Sequence, residues 1–250
     1  MQAKPKITIV TVVFNAKSLI EKTIQSVLSQ TYPFIEYIII DGASTDGTID
    51  ILNKYRSRIT TVVSEKDSGI YDAMNKGLKR ATGDYVLFLN AGDELFGTDT
   101  LSLIFNTSEG ADVYYGNTKI IDKDGVELGN RRLTPPANLN WKSLRFGMCV
   151  SHQSFIPKRI ICEPYNLDYK ISSDIDWMIS ILKKSHIVIH VNLNISKFLE
   201  GGLSVKNRNK ALKERFKIME AHYGFVATLF NHVYILIRYF FHKITRKTMS

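Results

Sequence analysis

The chain has 250 residues, 44% of them hydrophobic and 11% aromatic, with only two cysteines. That composition supplies a large packed core and excludes both a disordered chain and a disulfide scaffold. The formal charge of +9 is uneven, because from Val205 onward ten Lys and Arg face only Glu214 and Glu220, leaving a nearly neutral body. A neutral body argues against a broad nucleic-acid-binding surface, and the basic end argues for a local electrostatic attachment. Cys149 and Cys162 are isolated and fit a reducing compartment. Met1 to Lys6 is short and polar, so no leader peptide is expected.

Lys6 to Phe14 is β-branched and nearly all apolar, which predicts a buried strand. Ser18 and Glu21 have capping-box spacing ahead of the apolar face Ile20, Ile24, Val27 and Leu28. A second strand over Ile35 to Ile40 closes on Asp41-Gly42, and a helix follows to about Tyr55. A third strand is expected over Ile59 to Ser64 and a helix over Tyr71 to Ala81. The apolar run Tyr85 to Leu89 is a fourth strand, and it stops at Asn90-Ala91-Gly92-Asp93-Glu94. Such alternation predicts an α/β fold with parallel strands, right-handed crossovers and a ligand beyond the carboxyl ends of the strands. Three of those four ends are acidic, which suits a divalent cation better than bare phosphate.

The second half is more hairpin-like, with a tight turn at Lys123-Asp124-Gly125 between Asp112 to Tyr115 and Val126 to Arg132. Met148 to Ile156 is expected as a strand carrying His152-Gln153. Ser172 or Ser173 would cap a helix to about Lys184, and short strands are expected at His186 to Val191 and Ile195 to Phe198. These end on Glu200-Gly201-Gly202-Leu203-Ser204, before two helical patterns at Asn207 to Tyr223 and Phe225 to Arg246. No dinucleotide fingerprint, phosphate-binding loop, nucleophile elbow or His-Glu-x-x-His pair occurs.

Four segments carry a resemblance: Thr11 to Asn15, Ile40 to Thr48, Ser64 to Gly77 and Phe88 to Glu94. Together they resemble the family-two inverting glycosyltransferases of the A-type (GT-A) nucleotide-sugar-binding fold, in the branch of bacterial exopolysaccharide and colanic-acid-type enzymes. The resemblance implies a mostly parallel central sheet flanked by helices, a UDP-sugar donor and a divalent metal, Mn²⁺ or Mg²⁺. By the same resemblance Asp93 is the metal ligand, since the family's Asp-x-Asp-Asp is reduced here to Asn90-Ala91-Gly92-Asp93. Val12, Phe14, Asn15, Asp41, Asp67, Asn75, Asn90 and Ala91 fall at nucleotide-sugar positions. His152, Gln153, Asp176 and Glu200 fall on the acceptor side. Ser172-Ser173-Asp174-Ile175-Asp176-Trp177 resembles the motif that supplies the catalytic base. With Ser173 as cap, Asp176 would sit at the capping-box position, and residues two apart on a helix do not face one way, which leaves Asp174 as the base.

The expected organisation is a catalytic domain over 1–204, with a nucleotide-sugar half to about 95 and an acceptor half over 96–204, followed by a basic helical tail over 205–250. The wide apolar face of Phe225 to Lys247 with its basic residues suits a helix lying in an anionic membrane surface. Such a protein is expected in the cytoplasm, peripheral on the inner membrane, with a glycan or lipid-linked acceptor. Two rivals are a sugar-nucleotide pyrophosphorylase and a non-catalytic membrane-binding module. The first requires a Gly-rich, Arg-containing loop after the first strand, where this chain has Phe14-Asn15-Ala16-Lys17.

Overall fold

Ile7–Val13 is buried at every position, as its unbroken β-branched run requires, and becomes an interior strand (β1) of a parallel sheet. The computed structural model describes residues 4–107, 109–202 and 207–247, with side chains to residue 238. β1 pairs with β2 (Ile35–Asp41) and β4 (Tyr85–Phe88), and β3 (Thr61–Ser64) extends the sheet beyond β2, giving the order β3-β2-β1-β4. The register sets Val13 against Asp41 and Asp41 against Ser64, so the carboxyl ends of β1 to β3 meet at one edge. Helices α1 (Ile20–Leu28), α2 (Thr48–Tyr55) and α3 (Ile70–Arg80) are the crossovers.

The expected capping box at α1 does not form. The helix begins at Ile20 without a side-chain cap, because the Ala16 carbonyl accepts from Leu19 N and Ile20 N and turns the chain there. Glu21 instead accepts from the Tyr55 hydroxyl at 2.8 Å, tying α1 to α2.

After β5 (Glu94–Leu95) and α4 (Thr100–Thr107) comes a mixed sheet of order β5-β9-β6-β7. It contains β6 (Val113–Ile121), β7 (Glu127–Asn130) and β9 (Val188–Leu199), and β8 (Phe155–Pro157) adds to β6. Two expectations are corrected here. Of the segment Met148 to Ile156 only Phe155 and Ile156 enter a strand, because His152–Ser154 turns tightly and Ser154 bonds Asn117 O and Ser196 Oγ. The two short strands after α5 (Ser173–Lys184) are one strand, β9. A bulge opposite Tyr115 to Thr118, with Asn192 at φ 53°, absorbs the polar break.

The last helices are α6 (Arg208–Tyr223) and α7 (Phe225–Lys247). The expected division at 204/205 lies outside the described residues, but α6 is no detached tail: Ala211, Ile218 and Met219 are buried. Its Glu214 carboxylate accepts from the backbone N–H of Lys170, Ile171 and Ser172 at 2.8–3.0 Å. Neither expected serine caps α5, since Ser172 makes no cap bond and Ser173 Oγ donates to Asn166 O. The neighbouring helix supplies the acceptor.

Glu36 locks the opposite end of the parallel sheet. It is buried and accepts from Thr8 Oγ1, Thr82 N, Thr82 Oγ1 and Lys6 Nζ at 2.6–3.1 Å. Burial pushes its carboxyl up, but these donors outweigh it and hold the pKa at about 2. A pKa below the unfolded value stabilises above pH 4.5, and the contribution is lost as pH falls towards 2. Glu36→Gln should therefore cost roughly 2–3 kcal/mol at pH 7 in urea melts and much less near pH 2.5. An equal cost at both pH values would show that packing, not charge, matters there.

Candidate active site

At the ends of β1 and β2 two loops are laced together. Asn15, in the left-handed region at φ 46°, donates its N–H to Ser44 Oγ and accepts from Thr45 N through Oδ1. Asp41 is fully buried and accepts from Ser44 N, Ser44 Oγ and Ser64 Oγ at 2.5–3.0 Å. Its expected place against a nucleotide is therefore corrected, because the carboxylate is turned inward as a cross-strand clamp. Asp67 presents the acid at this edge. Its Oδ1 accepts from Gly69 N, and its Oδ2 lies 2.5 Å from where a Cβ on Gly42 would stand, with Phe14 Cδ2 at 3.2 Å from the same point.

Phe14 is 63% exposed, so it is not a core residue, and its ring stands against Gly42. Two further expectations are corrected. Val12 is buried, and only its carbonyl reaches the site edge, accepting from Ala91 N at 3.1 Å. Asn75 bonds the backbone of Tyr165 through both ends of its amide, at 2.9 and 2.7 Å, and braces α3. Since Gly42 is the seat of Asp67, Gly42→Ala should drive that carboxylate away from Phe14. Donor KM should rise about tenfold with a smaller change in kcat, as steady-state kinetics would report.

The turn after β4 carries Asn90, Ala91 and Asp93. Gly92 has φ 99°, so a larger residue there would be strained, and its Cβ would displace Leu199 Cδ2, which stands 2.7 Å from that point. Asp93 is 3% exposed, with Oδ2 accepting from Gln153 Nε2 at 2.7 Å and Oδ1 from Leu199 N at 3.0 Å. Burial raises its pKa to about 6, against the lowering effect of those donors and of His152. His152 stands between two functional groups: Nε2 is 3.2 Å from Asn90 Nδ2, and Nδ1 is 3.5 Å from Asp174 Oδ2. An amide donor at Nε2 leaves an Nδ1–H facing Asp174.

Asp174 Oδ1 accepts from the Tyr71 hydroxyl at 3.2 Å and from Ile175 N at 3.0 Å, while the side chain stays 17% exposed. Burial acts to raise its pKa, but the hydrogen bond and charge of His152, then Arg215 and Ile175 N, leave it below the usual carboxylate range. Asp174 is an ionised acceptor at the wall of a cavity of about 280 Å³, shared with Tyr71, Asn90, Asp93, His152 and Arg131. Asp176 is corrected. Two residues on, α5 turns it away from the cavity, and it bonds His222 Nε2 of α6 at 2.7 Å. Glu200 is exposed and lies on a neighbouring groove.

The donor set at the turn fits a divalent cation that needs few protein ligands. Asn90 Oδ1 is buried without a hydrogen-bond partner, and the Asp93 carboxylate and the His152 ring share its cavity. Among the described residues no group of three His, Cys, Asp or Glu could hold a metal. A cation here would thus take its remaining oxygens from a diphosphate. Tyr71, which lies within the Ser64 to Gly77 segment, and Arg131 and Arg215, which no motif marks, also line this cavity. The only signals for the arginines were the Arg131-Arg132 pair after a hairpin and the basic pattern of α6.

A parallel sheet with an aromatic ring and an acid at one edge, an acidic turn beside it and a second carboxylate lining the same cavity fits the A-type class of sugar-nucleotide transferases. The sequence profile described as "Glycosyl transferase family 2" matches residues 8–162, and the chain belongs to that family. It is a glycosyltransferase. The chain is similar to the PGL/p-HBAD biosynthesis glycosyltransferase of Mycobacterium bovis, with 29% identity over 213 residues, covering 81% of this chain and 80% of the relative. A glycosyltransferase named for teichuronic acid biosynthesis, TuaG of Bacillus subtilis, is 47% identical over 94 residues, 36% of this chain and 37% of its own. The crystal structure of S. aureus TarS 1-349 in complex with UDP superposes with a TM-score of 0.67 at 19% identity. It matches over 86% of this chain, which spans 64% of that one, and the likeness is one of fold.

Proposed function

We propose that this glycosyltransferase inverts the anomeric centre while moving a sugar from a nucleoside diphosphate, a UDP-sugar, to an acceptor hydroxyl in cell-surface polysaccharide biosynthesis. The observation that carries the reading is Asp174, an ionised carboxylate open to the same cavity as the Asn90 to Asp93 turn. Asp174 accepts the proton of the acceptor hydroxyl as that oxygen bonds to the anomeric carbon. The bond from that carbon to the diphosphate oxygen breaks on the opposite face. Tyr71 and His152 hold the Asp174 oxygens in place, and Gln153 and Leu199 N hold Asp93. Asp93, with Asn90 and His152 beside it, would hold a divalent cation, which would supply positive charge against the departing diphosphate.

Phe14 and Asp67 support a flat base with an N–H to donate, which uracil has, and TarS was crystallised with UDP. The pyrophosphorylase reading lacks its loop, since Asn15 to Lys17 is a short turn tied to Ser44 and Asp46.

Helix α7 supports attachment to a membrane surface. Its Thr228 is buried and Arg238 bonds Phe146 O, so polar residues face the body. Phe225, Val226, Phe230, Val233, Leu236 and Ile237 are half or more exposed, or nearly so. Among the described residues no helix is long and apolar enough to cross a membrane. Transfer and hydrolysis assays over a panel of nucleotide sugars, with and without Mn²⁺, test the reading. Metal-stimulated turnover of a UDP-sugar is expected, and a protein that neither binds nor consumes any nucleotide sugar would refute it.

A further inference from the structure

Asparagine is a poor strand former, yet Asn194, Asn117 and Asn130 stand in three neighbouring strands, β9, β6 and β7. The register sets Asn194 beside Asn117 and Asn130 beside Lys119, and residues two apart in β6 share a face. All four line a cavity of about 250 Å³, together with Leu133 and Pro135 of the loop after β7. Among the described residues none of the three side-chain amides makes a hydrogen bond within the chain. Residues that oppose their local structure and gain nothing inside the fold mark a functional surface.

The charges around this cavity are already answered. Lys119 pairs with Glu127 at 3.6 Å. Arg131 donates to Ser151 Oγ and Met148 O, and while burial pushes its pKa down, the charge of Asp174 works against that. The groups left over are neutral amides, each with two N–H donors and a carbonyl acceptor. An amide can give to one hydroxyl and take from the next, which is what adjacent hydroxyls of a sugar ring present. Leu133 and Pro135 offer apolar surface to the C–H face of such a ring. At about 250 Å³ the cavity lies just below the roughly 300–1,000 Å³ of drug-sized ligand sites, which suits one ring and not a chain.

Arg131 and Ser151 also line the cavity that holds Asp174, so the two spaces share a wall. On the reading of Asp174 as base, we propose that the cavity of Asn117, Asn130 and Asn194 is a saccharide subsite. It holds a neutral sugar of the acceptor, next to the sugar whose hydroxyl reaches Asp174. The acceptor is thereby specified as a glycan of at least two sugars, and an earlier glycosyl transfer must supply it. This chain extends a glycan and does not begin one.

The test is saturation-transfer NMR on the full chain with the methyl glycosides of glucose, galactose, mannose, rhamnose and N-acetylglucosamine. Sorbitol, methyl glucuronide and inorganic phosphate are the comparison probes. At least one neutral glycoside should bind at least about tenfold tighter than sorbitol, and Asn117→Ala and Asn194→Ala should each weaken it by about tenfold. Asn130 is exposed at the end of β7, so Asn130→Ala removes an amide without touching the core and should weaken binding about threefold. If no neutral glycoside binds, the proposal falls. If glucuronide or phosphate binds more tightly, the cavity is an anion site and the proposal falls too. Unchanged sugar binding in the asparagine variants puts the sugar elsewhere and also overturns it. The wild-type comparisons and Asn130→Ala stand even if the two inner variants do not fold. Sugar binding at the asparagines with full transfer by Asp174→Asn overturns the base reading alone, whereas an inactive Asp174→Asn with no sugar binding by wild type overturns the subsite alone.

Discussion

Asp174→Asn is expected to lower kcat for sugar transfer by about 10²–10⁴ while leaving donor KM within about threefold, since general-base help contributes that much to rate. The amide preserves shape and can still accept from Ile175 N, but it cannot take a proton from a hydroxyl. Asp176→Asn is the matched control. Its carboxylate is bonded to His222 on α6 and lies outside the cavity lining, so kcat should stay near wild type. Parallel initial-rate measurements on the two variants decide the matter. Equal loss in both would move the base assignment off Asp174 and leave the two acids as parts of the α5 start.

Asp93→Ala should have the other large effect, a loss of about 10²-fold or more in metal-stimulated transfer. It deletes the acidic group of the turn and also frees Gln153 Nε2 and Leu199 N, both of which now donate to it. Part of the loss is therefore positional. Asp93→Asn separates the two contributions, because it keeps the volume and one acceptor while removing the charge. A pKa of about 6 adds a pH signature: below that value the carboxyl is neutral and cannot balance a cation. Metal-stimulated activity should rise through pH 6, and higher Mn²⁺ should move that limb to lower pH, since a bound cation competes with the proton. Full metal-stimulated activity in Asp93→Ala would remove the turn from the site.

The four parallel strands were legible because each is a short apolar run closed by a turn, a pattern that survives without knowledge of neighbours. The acidic turn after β4 and the Asp174 helix start were legible for the same reason, being local motifs. Asp41 and Asp67 were both read as nucleotide-facing, and only the β2–β3 register separated them. Ser64 reaches across to bond Asp41, while Gly42 leaves room for Asp67. Asn75 and Asp176 were misplaced by the same limitation, since their partners Tyr165 and His222 are 90 and 46 residues away.

The basic charge of the last stretch was visible from composition, but its division was not. Arg215 joins Arg131 beside Asp174, and Glu214 closes the start of α5. The capping expectation at Ser18 failed because the Ala16 carbonyl, two residues earlier, accepts from Leu19 N and Ile20 N, and those at Ser172 and Ser173 failed because the Glu214 carboxylate and the Asn166 carbonyl take up that turn. By itself, then, the sequence determined the order of the parallel strands and their crossover helices, the family, and the position of Asp93 and Asp174, the two acids to which the proposed mechanism assigns the chemistry. These follow from hydrophobic period and turn residues within a few positions. The tertiary structure alone decided which acids face the cavity and which are clamps, and that asparagines from three strands share one cavity. Hydrogen-bond and charge partners are chosen through space, and no local pattern encodes that distance.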